Sequence, residues 1–143
     1  MLMNAETLES LSGDSGVHIL VIEDNDDAAY LVQFFLEDLG YSVAVARDGK
    51  SGLAMAREQR PDIVLSDIGL RGELDGYAIA RAIKSDDSLR SICLIATSGY
   101  AAQEDKARSK AAGFDEHLTK PLDLPQLSQA IAQKVSEQKT IRR

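Results

Sequence analysis

The sequence predicts an α/β domain built on a parallel β-sheet with helices on both faces. Five short apolar runs rich in Ile, Val and Leu alternate with five helical patterns. The first run is apolar nearly throughout, as in a strand buried on both faces. At 143 residues the chain suits one domain with a real core and is too short for two comfortable ones.

His18–Glu23 is the first strand. Asp26–Leu39 carries Leu31, Phe34, Phe35 and Leu39 at helical spacing, and Gly40 comes next as a cap. Ser42–Ala46 is the second strand. Lys50–Gln59 is a helix opened by Asp48 and stopped before Pro61. Asp62–Ser66 is a strand and Gly76–Lys84 a helix. Ile92–Thr97 is a strand, and Ala102–Ala112 a helix ending at Gly113. After the short strand Asp115–Leu118, Asp123 caps a last helix with Pro125 in its first turn. The apolar face of that helix is Leu124, Leu127, Ile131 and Val135. Residues 1–16 read as a polar leader with a short helix at Ala5–Leu11. The domain spans 17–137, and 138–143 form a tail; the polar end from Ser136 is expected to fray.

Composition narrows the function. Apolar content of 44% and charged content of 27% are ordinary for a globular chain. Sixteen basic against 23 acidic residues leave a net charge of −7, which disfavours nucleic acid as a partner. The one cysteine, Cys93, has no partner for an internal disulfide and reads as a small core residue. No apolar run is long enough to span a membrane, and residues 1–16 lack the pattern of a secretory signal, so a cytoplasmic location is expected.

Right-handed crossovers bring all strand C-termini to one edge, where open α/β sheets hold their ligands. On that edge the first strand ends in Glu23-Asp24, the third in Asp67 and the fourth in Ser98, and the fifth runs into Lys120-Pro121. Three close carboxylates repel one another. A hard divalent cation resolves this, and Mg²⁺ prefers a few carboxylate oxygens plus waters and often bridges to phosphate. Three carboxylates, one such cation and Lys120 balance to neutrality, so an anionic phosphoryl donor can enter. Asp67, flanked by the other acids, is the best-placed nucleophile.

Four segments, HILVIED, DIVLSDIGL, IATSGY and GFDEHLTKPLDL, resemble in order and spacing the receiver domain of two-component response regulators. Lys120 lies 22 residues after Ser98, the family's usual separation. The resemblance covers roughly residues 17–137. It implies a five-stranded flavodoxin-like sheet in the order 2-1-3-4-5 with five helices. It implies that Asp67 is the phosphoacceptor and that Asp24 ligates Mg²⁺, or Mn²⁺ in its place, with Glu23 acting at the metal through water and the Gly69 carbonyl as a further ligand. Lys120 would contact the phosphoryl group, Ser98 would be the switch hydroxyl, and the Lys120–Pro121 bond would be cis. Partners would be a sensor histidine kinase or histidine phosphotransfer protein and an output protein. The protein would be a phosphoacceptor switch, with self-catalysed transfer and autodephosphorylation only. On phosphorylation, Ser98 would draw the loop Gly99–Ala102 inward and His117 would turn toward the space opened.

Thr97 beside Ser98 reads as an ordinary β-branched strand residue; the spacing and Gly99 favour Ser98. Arg71 stands where many receivers have proline, and the segment Ile68–Gly76 is one residue longer than the common form. His117 occupies a position where many receivers carry Tyr or Phe. Its ring could swing inward as Ser98 moves and make the switch pH-sensitive, or it could be a half-exposed strand residue without a signalling role. His18 reads as a surface residue.

Three rivals share parts of this pattern. A phosphohydrolase of the haloacid dehalogenase type needs a second Asp two residues after the nucleophile, where this chain has Gly69. A flavodoxin-like cofactor binder needs a phosphate loop after strand 1, where Glu23-Asp24-Asn25-Asp26-Asp27 would repel phosphate. A degenerate receiver used only for contacts is disfavoured by the intact residue set. The chain is expected to be a stand-alone receiver, or one excised from a hybrid kinase.

Overall fold

The computed structural model describes residues 16–99 and 103–142. Among them lie five strands and five helices: β1 His18–Ile22, α1 Asp26–Asp38, β2 Ser42–Ala46, α2 Gly49–Gln59, β3 Ile63–Asp67, α3 Gly76–Lys84, β4 Cys93–Ser98, α4 Gln103–Ala112, β5 Glu116–Thr119 and α5 Leu124–Arg142. The strands are all parallel, in the order β2-β1-β3-β4-β5. Boundaries fall within a residue or two of those expected, except at α5. The expected leader helix Ala5–Leu11 lies outside the described residues.

Local chemistry explains the helix starts. Asn25, Asp48 and Asp75 are extended N-caps whose side chains accept from the backbone N–H three residues on, in Ala28, Ser51 and Ala78. Each such cap is worth about 1 kcal/mol. Gly40 and Gly113 take positive φ just after α1 and α4, as expected of C-terminal caps.

Strand alternation divides the core in two. Leu20, Ile22, Val64, Leu94 and Ala96 face α2, α3 and α4, packing on Leu53, Ile79, Ile83 and Phe114. Ile19, Val21, Ile63, Leu65, Cys93, Ile95 and Leu118 face α1 and α5, packing on Val32, Leu36, Leu127, Ile131 and Val135. Both faces of the central strands are therefore dry, which is why those runs are continuously apolar.

Helix α1 forms as the helical spacing of Leu31, Phe34, Phe35 and Leu39 predicts, but its buried face is not made by that whole set. It buries Ala29, Val32 and Leu36. Leu31 and Phe34 are 54% and 61% exposed, with Tyr30 at 68%. Apolar residues occupy more than one face of this helix, so periodicity alone does not select the inner one. Helix α5 does not fray from Ser136 but runs to Arg142. No Gly or Pro comes after Pro125 to stop it, and the Gln138 amide donates to the Asp62 carbonyl at 2.8 Å, tying the late turns to the sheet. His18 is also more engaged than expected, its ring contacting Ser42 and Gln59.

Cys93 is buried. Burial, with Asp115 nearby, pushes its thiol up to about 12. The thiolate is the reactive form. Iodoacetamide at mildly alkaline pH should therefore leave Cys93 intact in the native protein and label it fully in denaturant. Equal labelling rates in both states would contradict the burial.

Candidate functional site

The site is built where the first, third and fifth strands end. Glu23 comes directly after β1, and its N–H still donates to the Ala46 carbonyl at 3.0 Å, so the chain turns only after it. The Asn25 N–H donates to Glu23 Oε2 at 3.1 Å. Asp67 is the last residue of β3. One carboxylate oxygen each from Glu23, Asp24 and Asp67 lies within 4.8 Å of the others, a group that could hold a metal ion. Glu23 is almost fully buried, and Asp24 stands more open.

Lys120, one residue past β5, brings the counter-charge. Its Nζ lies 2.6 Å from Glu23 Oε1 and 3.1 Å from Asp67 Oδ2. Its N–H donates to the Ser98 carbonyl at 2.7 Å, which fixes the loop to the end of β4. Burial by itself would lower the pKa of this ammonium. The hydrogen bonds to Glu23 and Asp67 and the charges of both outweigh that and raise it above its ordinary value. The ammonium is thus firmly cationic at neutral pH. The Lys120–Pro121 bond is cis, as expected.

Backbone donors complete the surroundings of Asp67. The Gly69 N–H donates to Asp67 Oδ1 at 3.0 Å. The Arg71 N–H reaches Asp24 Oδ2 at 3.3 Å, a contact sequence reasoning missed. Gly76 was missed too: a Cβ there would stand 2.6 Å from the Asp67 carbonyl oxygen, so α3 can start this close to Asp67 only with glycine.

Ser98 and Thr97 face opposite sides of the sheet. Thr97 pairs in register with Asp67 and lines a small recess with Glu23, Val32 and Leu122. Ser98 lies on the face of Ala96, whose register partner on β5 is His117. There Ser98 Oγ meets His117 Nε2 at 2.7 Å. His117 is therefore no isolated strand residue. Its Nδ1 meets Ser109 Oγ on α4, also at 2.7 Å. Nothing in the sequence marked Ser109, a serine in a strongly polar helix that is nonetheless 1% exposed. The acids and Lys120 thus form one group, and Ser98, His117 and Ser109 a second beside it, on the neighbouring strand ends.

An acidic trio with a lysine at the C-terminal edge of a 2-1-3-4-5 sheet agrees with a family profile, the response regulator receiver domain, which matches residues 19–132. The chain belongs to this family. Receiver domains are phosphoacceptor switches of two-component signalling. Among relatives, this one is 34% identical over 113 residues to the polar-differentiation response regulator DivK of Brucella anthropi, covering 79% of this chain and 91% of that protein. Among solved structures, it resembles the signal receiver domain of a signal transduction histidine kinase from Syntrophus aciditrophicus. That match has 30% identity and a TM-score of 0.79, covering 85% of this chain and 92% of that one. The chemotaxis response regulator CheY4 of Vibrio cholerae shares the fold at 24% identity and a TM-score of 0.77, over 82% of this receiver and 98% of its own chain. No helix among the described residues is long and apolar enough to cross a membrane.

Proposed function

We propose that this receiver accepts a phosphoryl group on Asp67 from a phosphohistidine donor, with Mg²⁺ bound beside it, and signals by changing its protein contacts. The observation that carries this reading is the Asp67 carboxylate held between the Lys120 ammonium and the Gly69 N–H, in reach of two further acids. Asp67 Oδ attacks phosphorus, the P–N bond to the donor imidazole breaks as the new O–P bond forms, and the imidazole nitrogen leaves with the electron pair. Lys120 faces the charge that gathers on the phosphoryl oxygens. Attack by water on the acyl phosphate would return the carboxylate and inorganic phosphate.

The donor set of hard carboxylate oxygens fits Mg²⁺, with Mn²⁺ as a substitute. Glu23, Asp24 and Asp67 would hold it, with the Gly69 carbonyl as a further ligand, and when bound it would neutralise charge on the phosphoryl group. Docking of a sensor histidine kinase or histidine phosphotransfer protein is supported by the exposed Tyr30, Leu31 and Phe34 on α1. Of these, Leu31 also lines a cleft of about 240 Å³ with Leu122, Leu124, Pro121 and the site residues Glu23 and Lys120. Ser98 is the switch hydroxyl in this reading.

The test is metal-dependent labelling. Wild-type protein should form an acid-labile acyl phosphate with acetyl phosphate or a phosphohistidine donor, and chelator should abolish it. Asp24→Ala should weaken Mg²⁺ binding at least about tenfold and slow labelling in step, since removing a direct ligand costs no less than removing an outer partner. Labelling at the wild-type rate in excess chelator would refute the metal site.

A further inference from the structure

We infer that Ser109 on α4 is a positioning residue for the switch: by donating to His117 Nδ1 it fixes the imidazole tautomer that lets Ser98 donate to a phosphoryl oxygen. This rests on the reading of Ser98 as the switch hydroxyl. The chain Ser98 Oγ···Nε2–His117–Nδ1···Oγ Ser109 has two contacts of 2.7 Å. Ser98 and Ser109 are 9% and 1% exposed, and His117 between them is half-buried.

A neutral imidazole has one N–H and one acceptor nitrogen, whereas each serine hydroxyl both donates and accepts. The chain therefore has two polarities. In one, Ser98 donates to Nε2 and Nδ1–H donates to Ser109. The Ser98 proton is then committed to the ring. In the other, Ser109 donates to Nδ1 and Nε2–H donates to Ser98. Only in this second polarity can Ser98 direct its proton to a phosphoryl oxygen and still hold a neutral His117. Ser109 supplies the donor that the second polarity requires. It sits on α4 and His117 on β5, so the polarity of the chain also couples the acceptor edge to the α4–β5 face. His117 and Ser109 line an open cleft there with Lys106, Lys110 and Glu116.

The experiment uses the full chain with nitrogen-labelled histidine, read by NMR at neutral pH with beryllofluoride and Mg²⁺ as the phosphoryl mimic. In the wild type His117 should be neutral and protonated on Nε2. Ser109→Ala should shift the ring toward the Nδ1–H tautomer and cut the mimic-induced shift changes over Gly113–Thr119 by about half or more. Ser109→Thr, which keeps the donor, should restore both. A wild-type ring protonated on Nδ1, or on both nitrogens, overturns the role of Ser109, and this measurement needs no variant to fold. So does a Ser109→Ala protein with unchanged tautomer and shifts. Acyl-phosphate labelling of wild-type Asp67 is measured in parallel. Its absence would sink the proposed function, whereas a labelled wild type with the wrong tautomer sinks the Ser109 role alone.

Discussion

Asp67→Asn should leave the fold intact and remove acyl-phosphate labelling. The substitution is nearly isosteric, and the Asn carbonyl can still accept from the Gly69 N–H now bound by Asp67 Oδ1. Its NH2 then takes the place of Oδ2, which faces Lys120 Nζ at 3.1 Å, so that hydrogen bond is lost to a donor–donor contact, but Lys120 retains Glu23 at 2.6 Å. One fewer negative charge among three close carboxylates also relieves repulsion. The lost contact and the relieved repulsion act in opposite directions, so the fold should persist under thermal denaturation. The chemistry fares differently, because a neutral amide is a far weaker nucleophile than a carboxylate. Incorporation from acetyl phosphate should fall at least about a hundredfold, a loss of roughly 2.7 kcal/mol or more in transition-state stabilisation. Near-wild-type, acid-labile labelling of a folded Asp67→Asn protein would show that another residue is the acceptor.

Gly76→Ala should be the most damaging single-methyl change near the site. A Cβ there would lie 2.6 Å from the Asp67 carbonyl oxygen and 2.7 Å from Ile68 Cα, both backbone atoms. The Gly76 N–H also donates to the Ile68 carbonyl at 3.1 Å. Relief requires α3 to back away or the end of β3 to shift, and Asp67 moves with it. Alanine gains about 0.5–1 kcal/mol over glycine in helix propensity. Backbone overpacking typically costs about 1–3 kcal/mol, so the clash wins. Thermal denaturation should show a drop of several degrees, and phosphorylation should slow even where the protein remains folded. Gly72→Ala is the control. Its φ of +104° strains alanine, but a Cβ there meets nothing within 4 Å, so labelling should persist. A Gly76→Ala protein as stable and as readily labelled as wild type would show that α3 and β3 can separate at no cost.

Much of the site was legible because its parts are strand ends. An all-apolar run such as Ile19–Ile22 announces a buried parallel strand, and the residues just after such a strand must emerge at the sheet edge. Glu23, Asp24, Asp67 and Lys120 were found this way, and the geometry gathers them. Ser109 was not found, because α4 carries no apolar stripe that would mark which of its polar residues turns inward. The inner face of α1 is hidden in the sequence for the opposite reason: the helix offers more apolar residues than one face can bury.

The sequence by itself determined the alternation of elements, the identity of the acids and the lysine at the strand ends, and the spacing that marks the family. Those are local properties, set by side-chain period, capping and the φ/ψ demands of Gly and Pro. Only the tertiary structure decided which groups touch. Lys120 reaches Glu23 across 97 residues of chain, and Arg71 reaches Asp24 across 47. Ser98 turns to His117, while Thr97 faces the other core. Such contacts depend on strand order, register and twist together. A one-residue slip in any ladder would reverse every side chain on that strand, so no local pattern can specify them.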